Sequence, residues 1–294
     1  MNNVFGDRRA VAVLLGPALL VYTLVMLVPV LWSLGLTMFD GNPLFGFDFV
    51  GPQNIRTLFE DPRIGDALWF TVKYAVVMTI GQVLAGYLLS LLYIFALRRA
   101  SALIRTLVFF PVVLPTVAVA LLFQKLFEVA PQNGLVNELL NTVGIASIDW
   151  FGSGDTAFIV LALMDIWRSM GFYAALLYAG LLDIPDEIFE SARLDGARGW
   201  RLVRHIVLPL SMPVLLSSVI FSINGTLKVF DSIVALTNGG PAEATTPLTL
   251  YMFQTSFSYG DYGYGSTIAL VLTVLCLGVT VAIFRSSRRD LTRS

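Results

Sequence analysis

Few residues in this chain have the types and spacing for chemistry. A single histidine, His205, and a single cysteine, Cys276, exclude a His-rich metal site, a cysteine cluster and an internal disulfide. Cys276 lies inside an apolar run, where packing is its simpler role. The sequence has no H-E-x-x-H, no G-x-S-x-G and no G-x-x-x-x-G-K-[ST] run, so the usual metalloprotease, hydrolase and P-loop ATPase signatures are absent. Two constellations remain. In the first, Asp165 and Arg168 interrupt an apolar stretch three residues apart. They share a helical face, on which they neutralise each other or offer hydrogen bonds to a polar solute. The second is a charged stretch, DIPDEIFESARLDGARGWRLVRH, from Asp183 to His205.

Both constellations lie in a chain built for lipid. Of 294 residues, 56% are hydrophobic and 13% charged, with a mean hydropathy of +0.78; soluble domains carry about 25% charged residues. The net charge of -1 gives no basic field for nucleic acid. A bilayer core needs about 20 apolar residues per helix. Uncharged intervals predict six spans at about 11–38, 74–97, 106–124, 156–182, 206–230 and 262–284. The N-terminal run is too long for the apolar core of a signal peptide, so it reads as an uncleaved first helix, kinked at Pro17 and Pro29. The prediction is one six-span domain over 10–284, between a cytoplasmic N-terminus at 1–9 and a cytoplasmic tail at 285–294.

Orientation follows from the basic residues. Arg8, Arg9, Arg98, Arg99, Arg105, Arg193, Arg198, Arg201, Arg204, Arg285, Arg288, Arg289 and Arg293 fall on one side, against Arg56, Arg63, Lys73, Lys125 and Lys228 on the other. The positive-inside rule places both termini in the cytoplasm.

The 183–205 stretch reads as more than a connection. Asp183 suits an N-cap and Pro185 a first turn, with Asp186, Glu187 and Glu190 near the positive end of the dipole. Gly196 breaks the helix, and Ala197 to Val207 is helix-like again. Two readings fit: an amphipathic helix whose arginines face anionic lipid, or a docking surface for a soluble cytoplasmic protein.

Glu190-Ser191-Ala192, three residues, Gly196, nine residues and then Ile206-Val207-Leu208-Pro209 resemble the signature E-A-A-x-x-x-G-x9-I-x-L-P of bacterial ABC-importer permease subunits. Ser191 is the one departure, small for small. VGPQNIRTLFED, IPDEIFESARLDGA and VFDSIVALTNGGPAEAT resemble other stretches of the family, and the last points to its carbohydrate, maltose-type branch.

The resemblance implies an all-α membrane protein of the type I importer fold, with a coupling helix between spans 4 and 5. It implies a subunit of an ATP-driven, binding-protein-dependent sugar importer, placed in a bacterial cell membrane. The implied partners are a second permease subunit, two ATPase subunits and an external solute-binding protein. ATP and magnesium then belong to the ATPase, and this chain holds no cofactor and is not an enzyme. Glu190, Ser191, Ala192 and Gly196, with Asp195 beside them, are implied to seat in a cleft of the ATPase, coupling through 184–205.

Sugars are held by aromatic faces and hydrogen-bonding side chains. On the fourth span, the resemblance implies a binding region at the level of Arg168, Ser169 and Phe172, next to Trp167. On the fifth, Ser218, Ser222, Gly225, Thr226 and Val229 form a small-residue stripe, with helix packing as the alternative role. Asn224, Lys228 and Asp231 form a second stripe, where Lys228 and Asp231 are placed to pair. The turn-forming Asn238-Gly239-Gly240-Pro241 is expected to face the binding protein. Arg168 can serve a sugar, an anionic group such as glycerol 3-phosphate, or only Asp165. The same architecture carrying glycerol 3-phosphate or another polyol is one alternative function. An ion-coupled secondary transporter is another, which would call for repeats and buried acids near the midplane.

Overall fold

The computed structural model describes residues 8–97, 101–129 and 132–291. Residues 1–7 and 292–294 of the expected termini lie outside the described residues, as do Arg98, Arg99 and Arg293 and the side chains of Arg8, Arg9, Arg288 and Arg289. The chain divides into two compact units, Met1–Ile64 with Tyr251–Thr273 and Gly65–Leu250 with Val274–Ser294.

In the first unit, α1 (Arg8–Tyr22), a π turn (Thr23–Leu27) and α2 (Val28–Leu36) make one long apolar helix. Pro29 lacks an N–H and crowds the carbonyl four residues back. The π turn makes the room, and the Val28 N–H bonds to the Thr23 carbonyl instead. Strands β1 (Phe39–Asn42) and β2 (Gly46–Phe49) then pair as an antiparallel hairpin, Phe39 opposite Phe49 and Asn42 opposite Gly46. Helix α3 (Gln53–Glu60) is tied to the hairpin by Asn54, whose buried amide donates to the carbonyls of Thr37 (3.1 Å) and Phe39 (2.8 Å).

Asp61 joins the remaining segments of this unit. Its Oδ2 accepts hydrogen bonds from the hydroxyls of Tyr251 and Tyr264, each at 2.5 Å. Burial pushes the carboxyl up, but these two bonds and the nearby Arg63 charge outweigh it and hold the group below its ordinary value. Burial and the Asp61 contact push Tyr251 up to about 12, so it remains a donor at neutral pH.

The second unit is a helix bundle. Its elements are α4 (Pro62–Phe95, whose first residues belong to the first unit), α5 (Ser101–Val113), α6 (Thr116–Leu126), α7 (Leu135–Thr142), α8 (Gly154–Leu182), α9 (Asp186–Leu194) and α10 (Trp200–Leu202). A π turn (Val203–Val207) leads into α11 (Leu208–Thr226), followed by α12 (Asp231–Leu236), the first residues of α13 (Leu248–Phe253) and the last part of α14 (Tyr262–Leu291); Tyr251–Phe253 of α13 and Tyr262–Thr273 of α14 belong to the first unit. Ser153 caps α8 by accepting from the Thr156 N–H. Met78, Val160, Leu161, Met164 and Ile233 form the main core. Glycine lets helices touch here: a Cβ on Gly171 would come 2.8 Å from the Phe109 Cα, and one on Gly86 would come 2.6 Å from the Tyr173 Cβ.

Three expected spans are corrected. The third, 106–124, is broken: α5 and α6 meet at 97°. Pro111 lies inside α5, and Pro115 drives Leu114 out of the helical region and itself takes ψ 129° as the N-cap of α6. The second helix begins at Pro62 instead of Tyr74: the Asp61 Oδ1 accepts from the Arg63 N–H (2.9 Å) and Pro62 opens the first turn, whereas a charge-free interval passes over the turns that carry Arg63, Asp66 and Lys73. The fifth ends at Thr226 instead of 230. Leu227 is its C-cap, Lys228 and Val229 close turns onto the Gly225 and Thr226 carbonyls, and Phe230, at φ −144° and ψ −60°, precedes α12.

Candidate functional site

A cavity of about 280 Å³ opens in the second unit between α4, α8, α11 and the start of α12. Helix α8 is 29 residues long, about 43 Å at 1.5 Å per residue, and contributes Asp165, Arg168, Ser169 and Tyr173 from its middle turns. Tyr74 and Gln82 come from α4 and Thr116 from α6. From α11 come Ser222, Gly225 and Thr226, from the turn after it Lys228 and Val229, and from α12 Asp231 and Ser232.

Asp165 is the electrostatic centre. A buried carboxylate is tolerated only when its oxygens are matched by donors or opposite charge. Here Oδ2 accepts from the Tyr74 hydroxyl at 2.5 Å, and Oδ1 accepts from the Ser232 hydroxyl at 2.8 Å. The Arg168 Nε reaches Oδ1 only at 3.5 Å, and its side chain is 28% exposed. Two hydroxyls therefore carry the close contacts, while Arg168 supplies the opposite charge and still lines the cavity. Through Tyr74 and Ser232, the same carboxylate binds α4 and α12 to α8.

A second polar group lies beside it. The buried Ser222 Oγ is 3.0 Å from the Gln82 Oε1 and 3.1 Å from the Thr79 Oγ1. Thr226 donates back to the Ser222 carbonyl at 2.8 Å. Gly225 differs: an added Cβ meets nothing within 4 Å, so this helix turn leaves open space on the cavity wall.

Arg168, Ser169, Ser222, Gly225, Thr226 and Val229 thus come together, and Phe172 does not. The Phe172 ring is 41% exposed and stands edge-on to Tyr173, which takes the lining position. Ser218 is buried and bonded to the Val214 carbonyl, a packing role. Lys228 and Asp231 both line the cavity, but no ion pair joins them among the described residues. Asn224 instead accepts from Thr280. Helical spacing in one span could not show that Tyr74, Gln82 and Thr79 would face α8 and α11.

The charged stretch folds as a helix and a sharp turn. Asp183 does not cap α9. It continues α8 in the helical region, and Pro185, at ψ 141°, takes the N-cap position because the residue before a proline is pushed out of the helix. At the other end, the Ala197 N–H bonds to the Ala192 carbonyl (2.8 Å) and the Gly196 N–H to the Arg193 carbonyl (3.1 Å). This is a Schellman closure with Gly196 at φ +84°. Gly199, at φ +52°, makes a second turn, so the following helix starts at Trp200 instead of Ala197.

Phe189 and Ala192 pack inward against Leu181, Ile184, Leu202 and Val207. Glu190, Ser191, Asp195 and Gly196 are exposed, and Leu194 is 89% exposed. Ala192 therefore departs from the expected set, since its methyl group belongs to this chain's own core.

The family described as "Binding-protein-dependent transport system inner membrane component" matches residues 82–288, which include the cavity-lining turns of α8 and α11 and the whole charged loop. The chain belongs to this family. Among its relatives is the sulfoquinovosyl glycerol transport system permease protein of Agrobacterium fabrum, 34% identical over 96% of this chain and 92% of that one. The trehalose/maltose transport system permease protein of Thermococcus litoralis is 32% identical, over 82% of this chain and 80% of that one. In solved structures, a chain of a bacterial alginate ABC transporter superposes with a TM-score of 0.81 at 22% identity, over 97% of both chains. That likeness shows the type I importer fold.

The protein is thus a multi-pass inner-membrane permease of a binding-protein-dependent ABC importer, and not an enzyme. In this permease, the cavity lies among the membrane helices, and α9 follows α8 and packs on its end through Phe189 and Ala192.

Proposed function

We propose that this permease forms half of the translocation path of an ATP-driven importer for a sugar, most simply an oligosaccharide, and that it receives its drive through α9. The observation that carries the reading is the cavity itself. Aromatic and hydrogen-bonding side chains, Tyr173, Gln82, Ser222, Ser169 and Arg168, surround open space at the middle of α8. The names of its relatives support the substrate class: trehalose/maltose, lactose and sulfoquinovosyl glycerol permeases.

The complete importer then contains a second permease subunit, two ATPases that hold ATP and magnesium, and an extracytoplasmic solute-binding protein. Counting the bent α5–α6 pair as one crossing gives six spans, with both termini and α9 in the cytoplasm. Glu190, Ser191, Asp195 and Gly196 meet the ATPase, and Ala192 anchors their helix to the bundle. ATPase closure then moves α8 and α11 as rigid levers about the cavity.

Filling the cavity tests this. Gly225→Phe meets no neighbour at its Cβ, and replacing glycine inside a helix costs nothing in propensity. The variant should assemble and keep basal ATP hydrolysis, while sugar uptake into proteoliposomes falls at least about tenfold, an effect of about 1.4 kcal/mol. Undiminished uptake removes the cavity from the pathway. Uptake that persists without the ATPase and collapses with an ionophore overturns the ATP-driven reading.

A further inference from the structure

We propose that the tip of the β1–β2 hairpin, Leu44 with Phe45, is a docking knob for the solute-binding protein, which meets it with an apolar notch rimmed by basic side chains. The inference rests on the orientation proposed above. The hairpin follows the first span and α9 follows the fourth, so a cytoplasmic α9 puts the hairpin on the outer side.

Leu44 is 88% exposed and Phe45 90%. They are not on a loose loop. The Asn42 Oδ1 accepts from the N–H groups of both Leu44 (3.0 Å) and Phe45 (3.1 Å), which holds the turn's main chain and leaves the two side chains projecting. Gly41 at φ +120° and Gly46 at φ +97° allow the strands to enter and leave that turn.

The base of the hairpin is fixed as well. Val50 and Gly51 both donate to the Met38 carbonyl, the Phe39 and Phe49 rings meet edge-on at 5.4 Å, and Asn54 holds the Phe39 carbonyl. Two large apolar side chains held out by a braced turn lose little further freedom on binding, which is the condition for a preformed contact.

Charge decides between a protein and lipid as the occupant. Asp40 lies directly opposite Asp48 in the strand register, and both are exposed. Like charges across a strand pair oppose folding. Asp261 adds to them: burial first, and then the Asp40 charge, push its carboxyl up. An anionic bilayer surface would be repelled by this stem, whereas basic side chains on a protein would relieve it.

The test uses the complete transporter in nanodiscs, titrated with the purified, loaded binding protein that stimulates its ATPase. Leu44→Ser/Phe45→Ser should raise the concentration for half-maximal stimulation about tenfold, with basal and maximal rates unchanged. Asp40→Asn/Asp48→Asn should flatten the dependence of that midpoint on ionic strength. Midpoints that stay at the wild-type value overturn the inference. So does a loss of basal rate that follows the anionic lipid content, which makes the tip a lipid anchor. A wild-type assembly that transports without any binding protein overturns the functional reading and the knob together, whereas a stimulated wild type with unmoved variants overturns the knob alone.

Discussion

In the cavity, Asp165 is met by Tyr74, Ser232 and Arg168, and Ser222 by Gln82 and Thr79. In the 183–205 stretch, no ion pair joins Asp186, Glu187, Glu190, Arg193, Asp195, Arg198, Arg201 or Arg204 to one another among the described residues. Asp165, Ser222 and their partners satisfy one another across helices and brace the bundle before any solute arrives, while Lys228 and Asp231 line the cavity with no ion pair between them among the described residues. The charges of the second are exposed, on α9, whose buried residues are Phe189 and Ala192, and along the turn and short helical segment that follow it. A protein region with internally matched charge is a frame. One with exposed, unmatched charge beside an apolar foothold is a surface waiting for a partner.

Damage to the hinge of the second region should have the largest functional effect. Gly196→Pro cannot take φ +84°, because the ring fixes φ near −65°. The variant should reach the membrane and bind nucleotide through its partners, yet lose substrate-stimulated ATP hydrolysis entirely. Normal stimulation in that variant would sink the coupling role of α9.

The frame predicts a different kind of loss. Asp165→Ala removes the acceptor of two buried hydroxyls and leaves Arg168 as an uncompensated charge, at a cost of about 3–5 kcal/mol. Thermal unfolding in detergent should show a large fall in midpoint. Adding Arg168→Met should restore part of it, because the stranded charge is gone. If the double variant is no more stable than Asp165→Ala alone, the Arg168–Asp165 contact contributes nothing to the frame.

The two regions also differ in how far the sequence reveals them. Gly196 is legible because a sharp helix stop with a polar flank needs a residue free to adopt positive φ, and the Schellman bonds confirm it locally. The misplaced N-cap at Asp183 was a local contest too. Pro185 won it by denying Ile184 a helical conformation, and the same rule breaks the third span at Leu114–Pro115. The cavity is non-local. Spacing on α8 offered Arg168, Ser169 and Phe172 as one face, but which of them meets open space depends on α4 and α11. Tyr173 gained the wall and Phe172 was turned outward. Tyr74 and Gln82 gave no signal in their own span, where each looks like one more tolerated polar group until α8 and α11 pack against it.

Glu190→Gln separates the regions with the smallest change. Glu190 is exposed and no hydrogen bond or ion pair within the described chain holds it, so stability should move by no more than about 0.5 kcal/mol. If its carboxylate orients α9 through a basic residue on the ATPase, losing the charge removes a charge-assisted hydrogen bond of about 1.5–3 kcal/mol. Stimulated hydrolysis should then fall roughly tenfold while the unfolding midpoint stays fixed. The same isosteric change at Asp165 should instead move the midpoint, because that carboxylate accepts from three groups inside the chain. A Glu190→Gln variant that unfolds early would show α9 to be part of the frame and end the contrast between the two regions.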